Sequence, residues 1–121
     1  MATSAKVAPP NAMVLVADPS GGEIPKTMTG ALIASTSSCI TVGCRSDVDG
    51  ETEFTLGRTR EVDPGDRPAF EGKLKTPNRK IAVRSVLGRT ILETPVPQQQ
   101  TMIRVWVNDP KEPNRVIIGV G

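Results

Sequence analysis

Eleven prolines and eleven glycines are spread through 121 residues, and between them apolar residues alternate with polar ones instead of recurring at helical spacing. That punctuation leaves room for strands of a few residues joined by turns. Alternating segments lie at residues 13–17, 38–47, 52–58, 69–76, 79–87, 89–94, 101–108 and 114–120, with a less defined one at 30–35. No segment keeps a helical period beyond two turns. About eight short strands at this spacing predict an all-β fold, a single-domain antiparallel β-sandwich. The sandwich is expected over residues 13–121, after a flexible N-terminal segment of residues 1–12.

One domain of this size buries about two thirds of its unfolded surface, enough for a core without metal or disulfide. That core has to be aliphatic, because Phe54, Phe70 and Trp106 are the only aromatic residues. Basic and acidic residues nearly balance at a net charge of +2. A strong nucleic-acid binder carries a larger excess, so nucleic acid is not an expected partner. No apolar run approaches the ~20 residues of a membrane span, and none near the start has secretory length. A cytoplasmic protein with no membrane contact is the expectation. Cys39 and Cys44 are five positions apart. Within one strand they lie about 17 Å apart on opposite faces, beyond the ~7 Å reach of a disulfide. Two free thiols fit a reducing compartment.

The stretch "CRSDVDGETEF", residues 44–54, gathers a cysteine and four carboxylates around an Asp-Gly pair. As a calcium-binding EF-hand loop it fails. Gly50 at the sixth position puts Arg45 first and Leu56 twelfth, where acidic ligands are required. A looser calcium site from Asp47, Asp49 and Glu51 stays as the alternative, with "EVDPGD" as a second acidic loop. A hairpin explains the residues better. With Val48, Asp49 and Gly50 as a three-residue loop and Gly50 left-handed, Cys44 opposes Phe54 and Val42 opposes Leu56. Arg45 then meets Glu53 on the polar face. This places Cys44 inside and Cys39 on the opposite, more open face. The chain has no histidine, so Cys-His and Ser-His pairs and histidine metal sites are excluded. No catalytic residue and no cofactor is expected.

A second hairpin is expected around Pro77 and Asn78. It pairs Leu74 with Ile81 and Gly72 with Val83, and sets Phe70 against Ser85. Its other face pairs Glu71 with Arg84, Lys73 with Ala82 and Lys75 with Lys80. Between residues 73 and 89 there are six basic residues and no acidic one. Such a face suits an acidic protein; it also suits a plain solvated surface whose lysines guard an edge. In "TMIRVWVND", Arg104 and Trp106 share a face, as a binding anchor if open and as core if covered. Lys73, Lys75, Lys80, Arg84, Arg104 and Trp106 are therefore the candidate partner-binding residues.

The segment "IAVRSVLGRTILETPVPQQQTMIRVWV", residues 81–107, resembles the C-terminal strands of the competence protein J type of nuclease inhibitor. The shared pattern is a short strand, a strand ending in "PVP", and a strand bearing tryptophan, over about a quarter of the chain. The resemblance implies a small cytosolic β-sandwich that binds a protein and performs no catalysis. The corresponding region here is basic, whereas inhibitors that compete with nucleic acid present acidic surfaces, and no site residue is carried over. The expected function is thus a non-catalytic module that binds another macromolecule. A homodimer stays open, and a small-molecule or calcium-binding domain is the alternative.

Overall fold

The computed structural model describes residues 2–26 and 30–121. Ten strands are described: β1 (Thr3–Val7), β2 (Met13–Ala17), β3 (Ile33–Ser35), β4 (Cys39–Gly43) and β5 (Thr52–Arg58), then β6 (Phe70–Lys75), β7 (Lys80–Ser85), β8 (Thr90–Pro95), β9 (Gln100–Val107) and β10 (Arg115–Val120). One short helix, α1 (Thr59–Val62), follows β5. The strands form two five-stranded sheets, β1-β5-β10-β9-β6 and β3-β4-β2-β7-β8. The all-β expectation is met, and the alternating segments are the strands.

The core lies between the sheets. Val14, Val16, Ile40, Val42, Ile81 and Val83 face it from the second sheet. Phe54, Leu56, Leu74, Ile103, Val105 and Ile118 meet them from the first. Each is fully or almost fully buried, and alternation along each strand sends its neighbours to an outer face.

Three expectations are corrected. Residues 1–12 are not a free segment: Met1 lies outside the described residues, but Thr3–Val7 is an edge strand paired with β5, Ala5 opposite Phe54. Its short "TSAKV" has little apolar alternation to announce a strand. The sandwich is also not wholly antiparallel, because β10 runs parallel to β5, with Val116 opposite Phe54. A parallel pair needs a long crossover, and the chain between them supplies it by visiting both sheets.

The third correction concerns both hairpins. β4 and β5 lie in different sheets, as do β6 and β7. Each pair is an arch that carries the chain from one sheet to the other. Cys44 and Phe54 are both buried in it, and so are Leu74 and Ile81, but neither pair shares a ladder. Cys44 follows the end of β4, and beyond it Asp47–Asp49 forms a short 3-10 turn capped by the Ser46 hydroxyl. Gly50 ends the turn at a φ of +123°, a conformation that favours glycine, with the Arg45 guanidinium packed against it. Arg45 consequently does not meet Glu53, whose partner is Arg115 at 3.3 Å.

Candidate functional site

The expected basic face is divided by the arch at residues 76–79. Leu74 points into the core, so Lys73 and Lys75 stand on the outer face of the first sheet. Ile81 and Val83 point into the same core from the other side, so Lys80 and Arg84 stand on the outer face of the second. Lys75 opposes Gln100, not Lys80, and Lys80 lies 3.9 Å from Glu93. Glu71 opposes Arg104, not Arg84, and accepts a charge-assisted hydrogen bond from its Nε at 2.6 Å. Of the six candidates, Lys73, Lys75 and Arg104 share one face; Lys80 and Arg84 are on the opposite side of the protein.

Trp106 is not a surface anchor. It points to the outer face of the first sheet, but residues 59–66 fold back over it and leave it 4% exposed. Its indole N–H donates to the Asp66 carbonyl at 2.9 Å. The fit depends on Gly119 in the neighbouring strand. A Cβ there would lie 3.0 Å from Trp106 Cζ3 and 2.8 Å from Thr59 Oγ1. The tryptophan therefore fastens α1 and its loop onto the sheet.

The acidic loops do not converge either. Among the described residues, Asp47, Asp49 and Glu51 included, no three of Asp, Glu and Cys come together as metal ligands would. Nearby, Lys6, Arg45 and Arg115 share a small polar cleft with Glu51 and Glu53, so opposite charges largely answer each other. Cys39 corrects another expectation. It is 1% exposed, in a small cluster with Leu15 and Ala17 on the outer side of the second sheet, while Cys44 lies in the main core. Both thiols are free. Burial pushes both up from the ordinary thiol pKa, and for Cys39 the Arg84 charge only partly offsets it.

Asp18 is a fully buried carboxylate that the sequence does not distinguish from an ordinary turn residue. Its Oδ1 accepts the Ser20 N–H at 2.9 Å and the Asn78 side-chain amide at 3.1 Å; its Oδ2 accepts the Asn78 backbone N–H at 2.8 Å. Burial alone would raise its pKa, but these donors outweigh it and hold the carboxyl below its ordinary value. With its oxygens engaged in this way, Asp18 is a structural clamp and offers no free base.

Concave surface lies at the end of the sandwich where β5, β8, β9 and β10 converge. One hollow of about 480 Å³ is lined by the exposed Pro95 and Pro97 over the buried Val96 and Val120, with Arg58 and Arg60 beside them. A second, of about 370 Å³, adjoins it and includes Lys73 and Met102. The "PVP" at Pro95–Val96–Pro97, legible in the sequence as a strand end, lines the first hollow, and its Pro97 lines both. Arg58 and Arg60 were not singled out from the sequence, where they sit in a mixed-charge run. Among the described residues, no helix is long and apolar enough to cross a membrane.

No protein-family model matches the chain, and no curated protein matches it in sequence. Its fold is similar to the crystal structure of ComJ, inhibitor of the DNA-degrading activity of NucA, from Bacillus subtilis. The TM-score is 0.71 over 98% of this chain and 93% of that one, at 9% sequence identity. The likeness therefore extends well beyond the "PVP" and tryptophan strands to the whole two-sheet architecture.

Proposed function

We propose that this chain is a non-catalytic β-sandwich that binds another protein, one with an acidic surface, in the cytoplasm. The observation that carries the reading is the end-to-end likeness of its fold to a protein whose role is to inhibit another protein's activity. Two features of the chain agree with it. There is no histidine to serve as a general base, and the fully buried carboxylate of Asp18 is occupied by hydrogen bonds. The solvent-facing cations Lys73 and Lys75, with the rim arginines Arg58 and Arg60, offer complementarity to an acidic partner.

The test is a pull-down from lysate of the source cells, nuclease-treated, at low and high salt. A stoichiometric acidic protein retained at low salt and released at high salt is the expected result. Recovery of nucleic acid alone, or of a second copy of this chain alone, would overturn it.

A further inference from the structure

The two hollows at the end of the sandwich share Pro97, Thr101 and Gly121, and so form one continuous open groove. Its exposed apolar surface is Pro95 and Pro97 with the half-buried Met102, over Val96 and Val120, which are each 5% exposed. Its cations stand at both ends, Arg58 and Arg60 at one and Lys73 at the other. No aspartate or glutamate lines either hollow. The nearest carboxylate on Lys73's strand, Glu71, is held by Arg104 at 2.6 Å, which leaves the Lys73 charge to the groove.

From this arrangement we infer that the groove takes an extended acidic segment of a protein, with carboxylates alternating with short apolar side chains. The inference rests on the protein-binding reading above and gives it a site. An apolar side chain sits against Pro97, which both hollows share, and carboxylates on either side of it reach Arg58 and Arg60 at one end and Lys73 at the other. Charge-assisted contacts of this kind fix register and orientation, and the apolar surface supplies the burial. A nucleic-acid strand is the wrong occupant. The groove has basic rims but no aromatic ring on which a base could stack.

The probe is the synthetic peptide acetyl-Glu-Val-Glu-Leu-Glu-Val-Glu-amide, titrated into the ¹⁵N-labelled protein. Amide shifts concentrated at Arg58, Arg60, Val96, Thr101 and Val120 are expected. The double variant Arg58→Glu, Arg60→Glu is expected to weaken binding at least tenfold. Both arginines are exposed, and retention of the dispersed amide spectrum checks the fold of the variant. A peptide with lysine in place of glutamate is expected to bind at least tenfold more weakly than the acidic one. Shifts clustered elsewhere, equal affinity for wild type and variant, or no shifts at millimolar peptide would overturn the groove. The pull-down separates this failure from that of the protein-binding reading. A partner captured equally by wild type and variant overturns the groove alone. No partner on wild type, with groove shifts present, overturns the reading alone.

Discussion

The Asp18 carboxylate accepts the backbone N–H of Asn78, 60 residues further along the chain, at 2.8 Å. It thereby joins the turn that follows β2 to the arch between β6 and β7. The same side chain closes its own turn through Ser20.

Replacing Asp18 by alanine removes three hydrogen bonds to a carboxylate, and about 2 kcal/mol of stability should be lost, measured by urea unfolding. A pH effect accompanies it. The folded pKa is depressed, so the carboxylate's contribution is fully present above the unfolded value of about 4 and is lost as pH falls through the folded one. Asp18→Asn should flatten the acid limb of a stability-pH curve. An unchanged limb would show that other carboxylates set it.

Trp106 should report a buried indole. Its emission is expected to be blue-shifted and poorly quenched by acrylamide until the protein unfolds. Trp106→Ala removes a large buried ring, at a cost of about 3–5 kcal/mol. Trp106→Phe loses the hydrogen bond to Asp66 and should free residues 59–66 to faster amide exchange before the sheet itself loosens.

Gly119→Ala should destabilise by about 1–3 kcal/mol, because the new methyl meets Trp106 and Thr59 at once and both are constrained by packing. Leu87→Ser, at a side chain 81% exposed, is the control and should change stability by less than about 0.5 kcal/mol. A thermal melt of the three proteins distinguishes the outcomes.

Cys39 and Cys44 should resist a thiol reagent at neutral pH and both react in denaturant. Each is at most 5% exposed, and burial raises each thiol above its usual pKa. Fast reaction of one thiol in the native protein would show local opening at its sheet.

Strand positions were legible because alternation reports which residues point inward, and that is a property of one strand at a time. Partner choice was not. Cys44 with Phe54, and Leu74 with Ile81, do share the core, as the apolar pattern demands. The same pattern arises whether two strands lie side by side in a ladder or face each other from opposite sheets. Register matching alone favoured the hairpin in both places, and in both the chain forms an arch. The basic face disappeared with that choice, since an arch sends the two sets of outward lysines in opposite directions. Trp106 was undecidable from its strand because its cover, residues 59–66, is a mixed-charge segment that belongs to neither sheet. Asp18 gave no signal because its chief partner is a backbone N–H sixty residues away.

β10 is the last strand of this domain along the chain, yet it fills the middle of its sheet, between β5 and β9. On the ribosome, β5 and β9 are made first and cannot complete the native sheet without it. Until residues 115–120 emerge, the nascent chain holds open a slot lined by Phe54, Leu56, Ile103 and Val105, with unpaired backbone on both sides. Contacts this distant in sequence form slowly. An incomplete sheet with apolar residues uncovered is the form most exposed to aggregation, and the one that chaperones would be expected to hold.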